Sequence, residues 1–211
     1  MIILQKKYSY TVNETRFMSN PIFRLEDLVH IYQGVTLKRY EDELGSQEPI
    51  INSRNLEQIY IGGELSIAQL DSSNLSKYRL QTDDVVITIR GTPLKASLVT
   101  DEVKGSLPHQ NLAVLRVKVE NLNPIFLAVL MRSKWLETQI STLYSQSIGT
   151  QLLKISQLRE LEMLLPSLDR QNQLAQLFLA AEHYTQITLE ILEQRNHVTQ
   201  LALSQILEGV Q

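Results

Sequence analysis

The chain has 211 residues, 43% of them hydrophobic and 20% charged, with a net charge of −3. This composition excludes a disordered or low-complexity chain and fits one globular domain with an appendage, or two small domains. The absence of cysteine excludes a disulfide framework, a thiolate nucleophile and a thiolate zinc site, and His30, His109, His183 and His197 show no ligand spacing.

The longest purely apolar stretch, 125–131, falls far short of the roughly 18 residues that a membrane span needs. Met1-Ile2-Ile3-Leu4 gives way at once to Lys6-Lys7, so neither a signal peptide nor a membrane anchor is expected, and the composition is compatible with a cytoplasmic location. The net charge argues against a freestanding, strongly basic nucleic-acid binder, but its distribution matters more than its sum. Residues 1–165 carry 18 Lys+Arg and 18 Asp+Glu, whereas 166–211 carry 2 and 5. Between Ser73 and Lys118 there are 7 basic residues against 4 acidic, so any anion-facing surface is local.

Residues 1–21 read as an N-terminal extension. Phe23, Leu25, Leu28, Val29 and Tyr32 have roughly helical spacing, and a short opening helix is expected to stop at Gly34, a C-cap. From 35 to 119 the pattern changes to short apolar runs between turn residues: Pro49-Ile50-Ile51, Ile59-Tyr60-Ile61, the β-branched run Val85-Val86-Ile87-Thr88-Ile89, and 112–119. Asn123 before Pro124 starts a helix expected to reach about Tyr144, with a break at Ser147-Ile148-Gly149-Thr150. A short helix near 156–160 and the run 161–165 follow, ended by Pro166.

From Asp169, read as the N-cap, to about Leu207 there is neither Pro nor Gly. Leu174, Leu177, Ala181, Tyr184, Thr188, Ile191, Val198 and Ala202 fall on a 3-4 repeat broken at Arg195. At about 1.5 Å per residue such a helix is roughly 58 Å long, more than a domain of this size covers alone. A second copy of the same helix is the simplest cover.

Tests for catalytic chemistry come out against an enzyme. Asn123-Pro124-Ile125-Phe126 is close to an amino-methyltransferase motif, but the second proline and a glycine-rich cofactor turn are missing, and helix capping explains Asn-Pro. Gly62-Gly63 and Gly91-Thr92-Pro93 lack the glycine and lysine pattern of a phosphate loop and read as turns. Asp83-Asp84 has no further acidic residue and lysine at nuclease-like spacing, so it reads as a solvated turn before a strand. No Gly-x-Ser-x-Gly elbow is present. Pro108-His109-Gln110-Asn111 is open to two readings, a set of base-reading side chains or a turn. The residues alone give a non-enzymatic module with a β-rich head and a long pairing helix, and leave open an oligomerisation adaptor with a protein-binding head and coiled-coil tail.

Several stretches together resemble the specificity subunit of type I restriction-modification systems. Phe23-Arg24-Leu25-Glu26-Asp27-Leu28 through Gly34-Val35-Thr36 is similar to the start of that family's target recognition domain. Leu80-Gln81-Thr82-Asp83-Asp84-Val85 with Arg90-Gly91-Thr92 resembles its central turn and strand, and His109-Gln110-Asn111-Leu112 its following polar turn. The strongest piece is Gly149-Thr150-Gln151-Leu152, Ile155-Ser156-Gln157-Leu158 and Leu164-Leu165-Pro166-Ser167-Leu168-Asp169-Arg170-Gln171. Ser167 stands where the family usually has a second proline and Arg170 where it has an acidic residue. The usual subunit has two recognition domains and two long helices, and this chain has one of each, so it looks like a half-subunit.

The resemblance implies an α+β fold: a twisted, double-β-helix-like target recognition domain over 22–166, then a coiled-coil-type spacer and dimerisation helix over 167–211. It implies a non-catalytic DNA specificity role, reading half of a bipartite double-stranded site and seating methyltransferase subunits. Those partners would bring S-adenosylmethionine, with ATP expected only on a restriction subunit, whose presence is left open. With the local positive charge, this nominates Lys38, Arg39, Arg54, Arg90, Lys95 and Lys104 as DNA-facing, with Gln110 and Asn111 beside them. Leu177, Tyr184, Ile191 and Val198 are nominated for an antiparallel homodimer interface.

Overall fold

The computed structural model describes residues 21–91, 94–144 and 152–209. A β-rich head carries a 41-residue C-terminal helix, which is the α+β arrangement expected. The expected break at 147–150, and Thr92-Pro93, lie outside the described residues.

The head opens with strand β1 (Ile22–Arg24), the single helical turn α1 (Leu25–Leu28) and strand β2 (Val29–Gln33). The opening helix therefore stops six residues before Gly34. Val29 and Ile31 are β-branched and buried, alternating with the exposed His30, and β2 pairs along its whole length with β8 (Leu112–Val117). Gly34 is no helix cap. Its backbone passes so close to the next layer that any Cβ there would overlap the carbonyl oxygens of Pro108 and His109.

The central sheet has the order β2-β8-β5-β6, all antiparallel, with β5 at Val85–Thr88 and β6 at Ala96–Leu98. It is apolar on both faces. Val85, Ile87, Ala113 and Leu115 point into the larger core with α2 (Pro124–Met131), α3 (Lys134–Tyr144) and α4 (Ile155–Arg159), while Val86, Leu112 and Val114 meet Ile51, Leu56 and Leu80 on the other side. A second sheet, β4-β3-β7, joins β3 (Glu41–Ile51), β4 (Ser66–Leu70) and the parallel β7 (Leu107–Pro108), and encloses a third cluster around Val35, Ile50, Leu70 and Leu75. Ile59-Tyr60-Ile61 forms one bridge, Tyr60 with Leu98, rather than a strand.

The single helix expected from Asn123 to Tyr144 is two. Asn123 does cap the first, its Oδ1 accepting from the Ile125 and Phe126 amides at 2.7 and 3.1 Å. The Ser133 hydroxyl then donates to the Leu130 carbonyl at 2.7 Å, and the Ser133 carbonyl accepts from Leu136 and Glu137, starting α3 afresh.

Strand β9 (Glu162–Leu164) pairs antiparallel with β1, and α5 (Leu168–Glu208) follows. Its cap is Ser167, whose hydroxyl accepts from the Arg170 amide, and not Asp169, which lies in the first turn. The serine at the proline-like position thus has a structural use. Gln171 is fully buried and clamps the helix to the head, donating to the Asn121 and Pro166 carbonyls at 2.9 and 2.8 Å and accepting from the Asn123 amide at 2.9 Å.

Candidate nucleic-acid interface

The turn His109–Leu112 is where three chain segments are tied together. The His109 amide donates to Ile51, the Gly34 amide to Leu112 and the Ile89 amide to Asn111, at 2.9 Å each, while Val35 bonds Pro108 at 2.7 Å. Each segment carries a nominated cation a few residues beyond the turn. Lys38 and Arg39 lie on the 3₁₀ turn after Val35, Arg54 on the 3₁₀ turn after Ile51, and Arg90 directly after Ile89. Lys95 stands opposite Thr88, whose partner in the sheet is Leu112. The side chains of Lys38, Arg39, Arg54 and Arg90 are exposed.

Lys104 is apart from this set. Its neighbour Gly105 bonds Leu80 at the other end of the central sheet, where Val85 pairs with Leu98. Two of the others already have neighbours, since Lys95 Nζ lies 2.5 Å from Glu57 and Arg54 donates to the Ser66 hydroxyl at 3.0 Å.

Gln110 and Asn111 sit on the turn itself and are partly exposed. The Asn111 amide donates to His109 Nδ1 at 3.3 Å, and burial lowers the imidazole pKa from its ordinary value. Asn111 Oδ1 is shielded and has no partner among the described residues. Gln33, which the sequence reading did not single out, joins the turn by donating Nε2 to the Gln110 carbonyl at 2.7 Å. A polar residue just before a close-packed glycine was its only local signal.

The local excess of basic residues overstates the free charge. Arg79 forks onto Glu48 with two bonds of 2.9 Å, and its hydrogen bonds hold the Glu48 carboxyl below the usual range against the opposing effect of burial. Arg116 makes two bonds of 2.7 Å to Asp84 and one of 3.1 Å to the Tyr32 hydroxyl, whose pKa burial foremost pushes up. Asp84 is 1% exposed, so it is not the solvated turn residue expected from sequence. Its neighbour Asp83 takes that part, exposed and at φ 69°. Arg79 and Arg116 are therefore part-exposed side chains committed to the buried carboxylates of Glu48 and Asp84.

Along α5, Gln171, Ala175, Phe178 and Glu182 face the head, and from His183 to Leu207 every residue is exposed. Leu177, Tyr184, Ile191 and Val198, 59–75% exposed, run along the opposite side at seven-residue spacing. Ile187 and Leu201 fall on the same stripe, while Leu189, Leu192, Leu203 and Ile206 form a second stripe that continues the head-facing side beyond the head. No described helix is long and apolar enough to cross a membrane.

A β-rich head whose segments meet at one polar turn thus carries a long helix that is bare over its distal half. The family model described as the type I restriction modification DNA specificity domain matches residues 20–198, and the chain belongs to that family. Among solved structures, the HsdS subunit from Thermoanaerobacter tengcongensis aligns at 16% identity and a TM-score of 0.59, over 80% of this chain and 43% of that one. A chain from a study of complex assembly and conformational transition of the type I R-M system aligns at 15% identity and a TM-score of 0.61, over 81% of this chain and 44% of that one. The chain thus spans under half the length of these relatives, and the likeness is one of fold. A comparison with curated proteins found no match.

Proposed function

We propose that this chain acts as one half of a type I specificity subunit, the head reading one half-site of double-stranded DNA and α5 pairing antiparallel with a second copy to rebuild a two-headed assembly. The observation that carries the reading is the bare length of α5. From His183 to Leu207 it has apolar stripes on two sides and nothing of its own head against either. One stripe suits a second copy, and the other leaves a seat for methyltransferase subunits, which would bring S-adenosylmethionine and carry the chemistry that this chain does not.

The DNA-facing set is Lys38, Arg39, Arg54, Arg90 and Lys95 around the turn, with Gln33, Gln110 and Asn111 as base-edge readers and Lys104 as an outlying phosphate contact. Two-fold symmetry requires both heads to read the same sequence in opposite orientation, so the site is an inverted repeat with half-sites about one to two turns of roughly 34–36 Å apart. Near-neutral total charge is compatible with this, because partners can supply phosphate contacts.

The test is binding of such repeats by the chain together with a methyltransferase partner. Alanine at all six cations should weaken binding to every sequence and flatten its salt dependence, and loss of one base-edge reader such as Gln110 should cost about 1–3 kcal/mol at one position. Wild-type retention by the six-fold variant would overturn the assignment. Sedimentation as a monomer at high concentration, with and without the partner, would overturn the pairing.

A further inference from the structure

The head and α5 are joined by a seat that ends abruptly. Leu174, Ala175, Phe178 and Leu179 are the last apolar side chains of the helix packed on the head, and the contacts beyond them are polar. Glu182 Oε1 accepts from Arg132 Nη2 at 3.1 Å and Oε2 from the Ile59 amide at 3.3 Å, and a longer bond of 3.4 Å joins Gln58 to Gln186. Beside them an open groove of about 710 Å³, lined by Gln58, Tyr60, Phe178, Glu182, Thr185 and Gln186, leaves the helix unsupported on one side.

Arg132 is built to be a fixed post. It closes α2, and besides Glu182 its guanidinium donates to the Glu57, Gln58 and Ala96 carbonyls at 2.9, 3.1 and 2.8 Å. One planar group therefore ties together the end of a core helix, the 57–58 loop, strand β6 and α5. Its side chain is 17% exposed and that of Glu182 is 30% exposed, so neither is free to swing.

We propose that the Arg132–Glu182 pair is the strut that fixes the angle between head and α5, and through it the half-site spacing that the two-headed assembly accepts. The second part rests on reading the head as a DNA-recognition module. The geometry makes small errors matter. A rotation of about 10° at Glu182 moves groups roughly 15–20 Å away, the scale of a head this size, by about 3 Å, close to one base-pair step of 3.4 Å. A part-exposed ion pair contributes little to folding, but this one acts beyond Leu179, where apolar packing no longer restrains the helix. Glu182 and Arg132 are positioning residues on this account and touch no DNA.

The full chain tests it directly, because with no native cysteine a pair placed at Ser76 on the head and Gln200 on α5 takes spin labels cleanly. Labelled chain diluted into excess unlabelled chain should give a narrow head-to-helix distance distribution in the wild type. Glu182→Ala should broaden it and Glu182→Gln should restore much of the narrow form, while the three carbonyl contacts of Arg132 keep the head folded. With the methyltransferase partner, a series of inverted repeats differing by one base pair in spacing should show a preference of about tenfold or more for one spacing in the wild type, falling to about two- to threefold in Glu182→Ala. An unchanged narrow distance in Glu182→Ala overturns the strut and assigns the angle to the apolar seat. Broadened distances with the spacing preference intact overturn the link to specificity. If the wild type holds no repeat at any spacing, the DNA reading fails, and the distance measurement still decides the strut.

Discussion

Strand β5 is buried at all four positions, with Val85, Val86 and Ile87 filling two cores at once, whereas Ile187, Leu189, Ile191 and Leu192 on α5 are all at least 40% exposed. Both stretches are rich in branched aliphatic residues, and only the first has its surroundings within the same chain. The head carries its folding energy internally, through burial on both faces of one sheet. The distal half of α5 holds its shape by bonds within the helix and gains tertiary stability only when something covers its stripes. A change in the head should therefore act on folding, and a change in the distal helix on association.

The largest effect on the head is expected from Asp84→Ala. It strands Arg116 against the Tyr32 hydroxyl and the Arg79 carbonyl with no carboxylate, and such losses at paired buried charges cost about 3–5 kcal/mol, read from the denaturant midpoint. Asn123→Ala should cost about 1–2 kcal/mol, because it removes the cap of α2 together with the 2.6 Å bond from Asn123 Nδ2 to Asn172 on α5. A smaller effect is a loss of head stability in mild acid. The His109 pKa lies below its ordinary 6.5 in the fold, so its contribution is present above that value and lost as pH falls through the lowered one. His109→Gln should flatten that limb of the pH curve and leave a later decline, where the lowered Glu48 carboxyl takes up its proton. The smallest effect on the head belongs to Tyr184→Glu, Ile191→Glu and Val198→Glu combined. The denaturant midpoint of the head should stay within about 0.5 kcal/mol while sedimentation shows the proposed dimer lost, and a head that unfolds with its helix face would break the distinction.

Legibility from sequence follows the same division. Val85–Thr88 was readable because a run of β-branched residues has one comfortable conformation, and α5 because neither Pro nor Gly interrupts it. The start was misleading, since apolar residues at 23, 25, 28, 29 and 32 satisfy a helical period and an inward-facing strand about equally. Ser133 gave no warning of a helix break, because its effect comes from a hydroxyl turning back on Leu130. Asp84 with Arg116 and Arg132 with Glu182 meet across 32 and 50 residues of chain, and no local pattern announces such a meeting. For the candidate interface, the turn at 109–111 was readable, and that the segments leading to Lys38, Arg39, Arg54 and Arg90 bond to it was not.

The ribbon of β1 and β9 has a consequence for how longer proteins of this kind can be made. Ile22 faces Leu164, Phe23 faces Met163 and Arg24 faces Glu162, with the Leu165 amide bonded to the Pro21 carbonyl, so the chain enters and leaves the head side by side. A unit whose door in and door out are adjacent can be threaded onto a chain like a bead, once or twice, without disturbing what is folded inside. By the same geometry, joining 21 to 165 through a short linker and opening the head at an exposed turn such as Asp101-Glu102 should yield a permuted head that keeps its sheets, with its larger core lacking only Leu174, Ala175, Phe178 and Leu179 of α5.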